Sequence, residues 1–211
     1  MRIGGGWRLA IGESRFGEAH AINACTMRSM RAKLILVWLV LLGAATAVAQ
    51  QPPTAEQVLE PAKAQAAHQH KNILLMFEAS WCVYCRRLEK FADAPEIRPI
   101  LERNFVTAHL TVFEVKDKAV RNNPGGDRLM TTMGGEAGGL PFFAFLNPEG
   151  QLIVNSNRTG PDGQGGNIGY PVQPAEIDWF MVMLRKSAPA LTEKEARVIE
   201  GWLRKGVPPL T

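Results

Sequence analysis

Cysteine, tyrosine and histidine are scarce in this chain of 211 residues, which contains three, two and four of them, respectively. So few cysteines exclude a small fold held together by several disulfide bonds. Most of the chain also has no excess of positive or negative charge. Residues 1–49 carry the whole formal net charge of +4, and residues 50–211 are neutral. No basic patch therefore indicates nucleic-acid binding.

The longest apolar run covers residues 34–45 and is shorter than the ~20 residues that a bilayer-spanning helix needs. Basic residues at positions 28–33 precede it, and the small residues Ala-Val-Ala at 47–49 follow it. This arrangement is typical of a secretory signal peptide. We expect cleavage after Ala49, so that the exported chain begins at Gln50. The alternative is a membrane anchor, which the short run disfavours.

Residues 1–26 precede the basic start of this signal. Signal peptides begin close to their basic region, and Met27 and Met30 are both suitable start sites. We therefore predict that residues 1–26 are a non-native N-terminal extension, that residues 27–49 are the signal peptide and that residues 50–211 form one domain. Two of the three cysteines then remain in the exported protein.

Hydrophobic periodicity and turn composition divide residues 50–211 into helices and strands. Strands are predicted at 72–78, 105–113, 142–146 and 151–155, and helices at 54–70, 86–91, 97–101, 174–186 and 192–205. Residues 114–139 are predicted to be irregular, and residues 156–173 to be a long loop. A strand–helix–strand unit followed by a strand hairpin predicts an α/β fold, in which helices flank a mixed central sheet on both faces.

Capping signals mark the start of two of these helices. Thr54 with Gln57, and Thr192 with Glu195, have the spacing of a capping box. Pro61 interrupts the pattern of the first helix, so that this helix is either kinked at the proline or begins there.

Cys82 and Cys85 follow directly after the apolar strand 72–78 and open the next helix. The free N–H groups and the partial positive charge of a helix N-terminus stabilise a thiolate, and Arg86 and Arg87 add positive charge nearby. A separation of three residues places both sulfurs on one helix face, where a disulfide can close. Cys82 is therefore the predicted nucleophile on a substrate disulfide, and Cys85 is predicted to resolve the mixed disulfide.

The motif Trp-Cys-Val-Tyr-Cys-Arg at residues 81–86 resembles the active site of the thioredoxin superfamily, in its exported bacterial branch. Leu140-Pro141 resembles the loop in which these proteins carry a cis-proline facing the cysteines. The resemblance covers residues 54–186 and implies a thioredoxin-like three-layer sandwich with an extra C-terminal helix. It also implies that Trp81, Leu140 and Pro141 bind the substrate.

One position departs from the thioredoxin pattern. Thioredoxins usually carry a buried Asp six residues before the first cysteine, where it moves protons to and from the second cysteine, and here that residue is Met76. Glu78 follows two residues later and therefore lies on the same face of the strand. Either Glu78 replaces the missing Asp as a catalytic carboxylate, or it reaches into water at the end of the strand.

The cysteine pair has other interpretations. It is half of a zinc site, for which His68 and His70 are the candidate further ligands, although zinc pairs usually lie on tight turns. Haem attachment needs a histidine where Arg86 stands and is excluded. A purely structural disulfide is the strongest alternative, although a bridge across so short a loop adds little stability.

These features predict an exported thiol–disulfide oxidoreductase that acts as a reductase or electron carrier, in the periplasm or otherwise outside the cytoplasm. The expected substrates are protein thiols and disulfides, and the expected electron donor is a membrane thiol carrier. We expect a monomer that uses no metal or cofactor and binds no nucleic acid. The alternative function is a non-enzymatic thioredoxin-like binding module, in which Cys82–Cys85 is a structural bridge.

Overall fold

The computed structural model describes residues 51–135, 139–160 and 165–206. The predicted N-terminal extension (1–26) and signal peptide (27–49) lie outside the described residues. None of the helices in the described ranges is long and apolar enough to cross a membrane.

A mixed sheet of four strands forms the centre of the domain. The strands are β1 (Asn72–Glu78), β2 (Phe105–Thr111), β3 (Phe142–Leu146) and β4 (Leu152–Asn155). They lie in the order β2-β1-β3-β4, with β2 parallel to β1, β3 antiparallel to β1, and β4 antiparallel to β3. Met76 of β1 pairs with His109 of β2 on one side and with Phe143 of β3 on the other. The predicted α/β class and mixed sheet are confirmed.

The apolar run of β1 is continuous because both of its faces are buried. Successive side chains of a strand point to opposite faces, so Ile73, Leu75 and Phe77 belong to one core cluster, and Leu74 and Met76 belong to the other. All five residues are at most 6% exposed. Burial of each such side chain contributes roughly 1.5–3 kcal/mol, which favours this strand at the centre of the sheet.

Helices cover both faces of the sheet and complete three layers. They are α1 (Ala55–Gln69), α2 (Val83–Ala92), α3 (Arg98–Asn104), α4 (Gly126–Thr132), α5 (Pro174–Ser187) and α6 (Glu193–Arg204), with a 3₁₀ helix at Lys116–Arg121. Helices α1 and α4 pack on the Phe77 face, whereas α2, α3, α5 and α6 pack on the Met76 face. The three-layer sandwich with an extra C-terminal helix, α6, is therefore present as expected.

Both predicted capping boxes are present. The Thr54 hydroxyl accepts the N–H of Gln57, whose side chain accepts the N–H of Thr54, and Thr192 and Glu195 form the same pair at the start of α6. Helix α1 runs through Pro61, so the alternative in which it begins at Pro61 is wrong. The capping box stabilises the earlier start, and a proline removes only one hydrogen bond inside the helix.

Three predicted stretches differ from the structure. The segment 114–139 contains the 3₁₀ helix and α4, and the loop 156–173 contains a hairpin of β5 (Asn157–Thr159) and β6 (Gly165–Asn167). Such short elements, rich in glycine or polar residues, show no hydrophobic period. Strand β2 ends before Phe113, although the prediction includes it, because the φ of 57° at Phe113 is incompatible with a strand.

Candidate redox-active site

Cys82 and Cys85 are joined by a disulfide at the start of α2, with their Cα atoms 5.3 Å apart. Cys82 is the N-cap residue of this helix, and its Sγ accepts the backbone N–H of Cys85 at 3.0 Å. After reduction, the same N–H group and the positive end of the helix dipole stabilise a thiolate at this place. Each cysteine is only 4% exposed, so the surrounding residues control how a partner reaches the sulfurs.

The loop before β3 lies against the cysteines. The Leu140–Pro141 peptide bond is cis, as the resemblance implies. Leu140 packs against the cluster of Ala79, Cys82 and Cys85, and Pro141 is buried. The fold therefore brings together the cysteine pair and the loop to which the family resemblance assigns substrate binding.

Asn167, at the end of β6, holds this loop at two points. Its Nδ2 donates hydrogen bonds to the carbonyl oxygens of Gly139 and Pro141, at 3.0 and 2.9 Å. Its Oδ1 accepts the Ser156 hydroxyl at 2.7 Å and the Gly169 N–H at 3.1 Å. A single side chain thus connects the backbone on either side of the cis peptide bond to the β5–β6 hairpin.

Two further asparagines hydrogen-bond to the backbone that directly follows α4. Asn155 and Asn157 donate their side-chain N–H groups to the carbonyl oxygens of Met133 and Gly134, each at 2.7 Å. None of these asparagines is among the residues predicted for the site. The signal that could have identified them is the recurrence of asparagine within a Gly-rich segment, because asparagine amides commonly bond to backbone groups in turns.

Glu114 forms hydrogen bonds with Ser80, the residue directly before the cysteine motif. Its carboxylate accepts the Ser80 N–H at 2.6 Å and the Ser80 hydroxyl at 3.1 Å, and Glu114 is buried. Lys118 donates to the same hydroxyl at 3.1 Å, and Arg86 donates to the Ser80 carbonyl at 2.9 Å. The backbone hydrogen bond from Ser80 lowers the pKa of Glu114 below its ordinary value, so this anchor is ionised at neutral pH. No sequence pattern predicts this contact.

Glu78 ends β1 in a half-buried position, whereas Met76 lies in the core. The Glu78 Oε2 is 3.3 Å from Nδ1 of His109 on the neighbouring strand. The hydrogen bond to Glu78 raises the pKa of His109 above its ordinary value. Glu78 and Cys85 line the same cleft, which has a volume of about 360 Å³. The structure thus brings the predicted carboxylate to the same cleft as the second cysteine.

Four large apolar side chains within or beside the cysteine motif are exposed, namely those of Trp81, Val83, Tyr84 and Phe113. Trp81 is 52% exposed, and its Nε1 donates to the carbonyl oxygen of Phe113 at 2.9 Å. The φ of 57° at Phe113 lies in the left-handed region, which bulky residues rarely adopt. Clustered large apolar side chains in contact with solvent indicate a surface that meets a partner.

The structure separates the cysteine pair from the histidines considered as zinc ligands. His68 and His70 lie at the end of α1, just before β1, whereas the cysteines follow the other end of β1. A seven-residue strand is roughly 20 Å long, so these histidines do not share a site with the cysteines. Within the described ranges, no group of three or more His, Cys, Asp or Glu residues could hold a metal ion.

The chain matches a known family over much of this domain. Residues 54–148 match the sequence pattern of a family described as thioredoxin-like. Over 103 residues the chain is 31% identical to the thiol:disulfide interchange protein DsbD of Vibrio cholerae serotype O1, a match that covers 48% of this chain and 16% of that protein. The chain therefore spans only a small part of the length of this curated relative.

Several solved structures are similar at lower sequence identity. A disulphide isomerase from Xylella fastidiosa Temecula1 has a TM-score of 0.39 and 22% identity, over 46% of this chain and 69% of that one. The oxidised C-terminal domain of DsbD from Neisseria meningitidis has a TM-score of 0.38 and 18% identity, over 63% and 98%. A DsbH oxidoreductase has a TM-score of 0.36 and 19% identity, over 64% and 84%.

The family match runs from the N-cap of α1 to the turn after β3. It includes β1, the cysteine pair and the loop with the cis peptide bond, which are the parts that form the site. Residues 54–148 therefore contain a thioredoxin-like domain.

Proposed function

We propose that this protein is an extracytoplasmic thiol–disulfide oxidoreductase that acts as a reductase or electron carrier. The observation that supports this function best is the Cys82–Cys85 disulfide at a helix N-terminus, with Leu140 packed against it. A permanent bridge across so short a loop would add little stability, whereas the same spacing suits disulfide exchange. The similarity to DsbD, which is named for thiol:disulfide interchange, favours the same class of reaction.

Reduction of a substrate takes two exchange steps. The Cys82 thiolate attacks one sulfur of the substrate disulfide, that S–S bond breaks, and the released substrate thiolate takes up a proton. Cys85 then loses its proton and attacks the Sγ of Cys82, which releases the second substrate thiolate and forms the Cys82–Cys85 disulfide. Two electrons pass to the substrate in each cycle. An external dithiol must return them, and we propose a membrane thiol carrier as this donor.

Four neighbouring residues have proposed roles in these steps. Glu78, which shares a cleft with Cys85, accepts and returns the proton of that thiol. Trp81 and Leu140 give the substrate apolar contacts beside the cysteines, and the backbone at Leu140 and Pro141 pairs with the substrate chain. No metal or cofactor takes part in this scheme, because thiols carry both electrons.

The proposed location outside the cytoplasm rests on the N-terminal sequence. Residues 27–49 have the pattern of a cleaved signal peptide. Residues 50–211 are then exported as one thioredoxin-like domain. We propose a monomer in the periplasm, or in an equivalent compartment, that acts on protein thiols and disulfides.

A second candidate function is a binding module in which Cys82–Cys85 is a permanent bridge. The low exposure of both cysteines, 4% each, favours it, because a buried bridge is protected from attack by thiols. The two candidates differ in one property, which is whether the bridge opens and forms again during contact with a partner.

Trapping of a mixed disulfide tests whether Cys82 exchanges with a substrate disulfide, which the oxidoreductase requires. In a Cys85→Ser variant the resolving thiol is missing, so a mixed disulfide between Cys82 and a substrate persists. We expect covalent adducts with a disulfide-bridged model peptide to accumulate in this variant, measured by mass spectrometry after acid quenching. Cys82→Ser is the matched control and forms far fewer adducts. Equal amounts of adduct in the two variants would favour the binding module.

A further inference from the structure

The large apolar side chains that remain exposed are concentrated in two segments beside the disulfide. Within the described part of the chain ten such side chains are exposed, and six of them belong to residues 81–84 or 113–120, namely Trp81, Val83, Tyr84, Phe113, Val115 and Val120. Val115 and Val120 are 58% and 75% exposed. Single exposed apolar residues are common on protein surfaces, whereas a cluster of them indicates a contact surface.

Two hydrogen bonds connect these segments. The Trp81 Nε1 donates to the carbonyl oxygen of Phe113 at 2.9 Å, and the Lys118 Nζ donates to the Ser80 hydroxyl at 3.1 Å. Arg121, the last residue of the 3₁₀ helix, lines the same cleft as Cys85. The segment 113–121 therefore lies directly beside the cysteine motif, and its exposed side chains extend the apolar surface at Trp81.

The backbone that presents these side chains is held in one conformation. The Asn122 side chain accepts the Glu114 N–H at 2.8 Å and donates to the Glu114 carbonyl at 3.1 Å. Phe113 and Lys116, on either side, have φ angles of 57° and 54°, in the left-handed region that such residues rarely adopt. A surface that is already ordered loses less conformational entropy when a partner binds.

The charges that this segment presents to solvent are mostly positive. Lys116, Lys118 and Arg121 are exposed, against one exposed acid, Asp117. The other carboxylate of the segment, Glu114, is buried and bonded to Ser80. The adjoining cleft is lined by charged residues of both signs on β1 and α2, namely Glu78, Arg86 and Glu89. The exposed part of the segment 113–121 thus complements a partner that carries negative charge.

We propose that the segment 113–121 binds a stretch of a protein redox partner that carries acidic and apolar side chains next to its own disulfide. The apolar side chains contact Phe113, Val115 and Val120, and the carboxylates lie towards Lys116. A protein suits this surface better than a lipid bilayer, because disulfide exchange requires a partner disulfide at Cys82. This inference rests on the proposed function, since docking matters to the reaction only if Cys82 exchanges disulfides.

Three disulfide-bridged peptides with the same cysteine core test the docking. Each carries a tail of about eight residues, which spans at most ~29 Å when extended, on either side of the core in turn. The tail alternates leucine with aspartate, leucine with lysine, or glycine with serine. The full chain reduces the peptides with dithiothreitol as electron source, and the uncatalysed rate is subtracted.

We expect the better leucine–aspartate peptide to exceed the glycine–serine peptide in kcat/KM by roughly three- to tenfold, because it adds apolar contact and charge attraction. The leucine–lysine peptide is expected to react more slowly than the leucine–aspartate peptide. In about 1 M salt the screening length falls to ~3 Å, so the difference between these two peptides shrinks.

Two variants locate the effect on the segment. We expect Lys116→Glu to lower the ratio of kcat/KM between the leucine–aspartate and leucine–lysine peptides by roughly two- to fivefold. Val120→Ser is expected to lower the ratio between the leucine–aspartate and glycine–serine peptides by about twofold or more. Lys194→Glu and Val198→Ser are the matched controls. Both residues are exposed on α6, and both ratios stay at their original values. Thermal melts show whether each variant is folded.

Three results would overturn the inference. They are an equal kcat/KM for the leucine–aspartate and glycine–serine peptides, a leucine–lysine peptide that reacts fastest, and unchanged ratios in both Lys116→Glu and Val120→Ser. Binding to phosphatidylglycerol vesicles that Val120→Ser weakens would assign the surface to a membrane and also contradict it. Failure of the proposed function gives a different result, because the unmodified protein then reduces none of the three peptides above the uncatalysed rate.

Discussion

Ser80, two residues before the nucleophilic position, shows how single residues fix the cysteine motif. Its N–H and hydroxyl bond to Glu114, its hydroxyl also accepts from Lys118, and its carbonyl accepts from Arg86. Three of these contacts come from beyond the end of β2, and the fourth comes from α2. The approach to Cys82 is therefore held from both sides by charged hydrogen bonds, which are stronger than neutral ones.

At the same scale, His109 makes part of the stability depend on pH. Its hydrogen bond with Glu78 raises its pKa above 6.5 in the folded protein. Such a histidine stabilises the folded state fully below about pH 6.5, and this contribution is lost as the pH rises through the higher folded pKa. The two side chains are 44% and 28% exposed, so we expect less than about 1 kcal/mol from the pair.

The His109→Gln variant isolates this contribution. We expect the free energy of unfolding of the unmodified protein to exceed that of the variant by the largest amount in acid, and the difference to shrink as the pH rises above neutrality. Urea titrations of both proteins at a series of pH values measure it. A difference that stays constant with pH would show that the Glu78 contact does not shift the His109 pKa.

The residues of the site that have a local sequence pattern can be predicted from the sequence. The residues that hold them in position by hydrogen bonds cannot. Cys82 and Cys85 stand out by spacing, and Leu140-Pro141 stands out by its place before an apolar strand. Glu114 and Asn167 act on backbone groups 34 and 26 residues away. These contacts exist only after the sheet and the hairpin have formed, so no local sequence pattern predicts them.

At the scale of elements, the β5–β6 hairpin acts on the site through the loop before β3. Asn167→Ala removes the side chain that donates to the Gly139 and Pro141 carbonyls. The variant also loses the two hydrogen bonds that the Asn167 Oδ1 accepts from Ser156 and Gly169. We expect the loss of these four hydrogen bonds to lower the free energy of unfolding by about 2–6 kcal/mol. We also expect kcat/KM for disulfide reduction to fall, because Leu140 is then held less firmly against the cysteines.

Asn147→Ala is the control for this prediction. Asn147 forms two side-chain hydrogen bonds with Gln151 in the turn between β3 and β4, at 2.8 Å each. Both variants lose an asparagine that braces a loop, but only Asn167 braces the loop beside the cysteines. Thermal melts and peptide-reduction assays of both variants are needed. An equal change of kcat/KM in the two variants would show that the hairpin does not position the site.

The predictability of the elements follows their burial. Strands β1 and β3 have the predicted bounds. Each is an unbroken apolar run of strand length, which is typical of a strand that is buried on both faces. Strand β6 is only Gly165-Gly166-Asn167, and it is held mainly by contacts that its sequence does not reveal. Helix α4 is similar, since seven residues that begin with glycine give no clear helical period.

At the scale of the whole molecule, the site is assembled at one end of the central strand β1. The cysteine motif follows β1 directly, the 114–118 segment follows the parallel strand β2, and the cis-proline loop precedes the antiparallel strand β3. All three segments therefore meet at the same edge of the sheet. This convergence follows from the order and the directions of the strands in the sheet, and it explains why residues distant in sequence share one site.

The C-terminal helices support the helix that carries the cysteines. Phe91 near the end of α2 packs edge-on against Phe180 of α5 and Trp202 of α6, with ring centroids 5.7 and 5.2 Å apart. Aromatic pairs of this geometry contribute about 0.5–1.5 kcal/mol beyond the burial of their surface. Helix α6 is therefore part of the core that holds α2 in place.

The redox equilibrium of the cysteine pair tests the proposed function most directly. The purified protein is equilibrated in glutathione and dithiothreitol buffers of graded potential, its free thiols are alkylated, and the oxidised and reduced forms are quantified by mass. We expect one two-electron transition, with a midpoint close to the value of thioredoxin, about −270 mV. A Cys82–Cys85 bridge that stays closed in the most reducing buffer would contradict the oxidoreductase and favour the binding module.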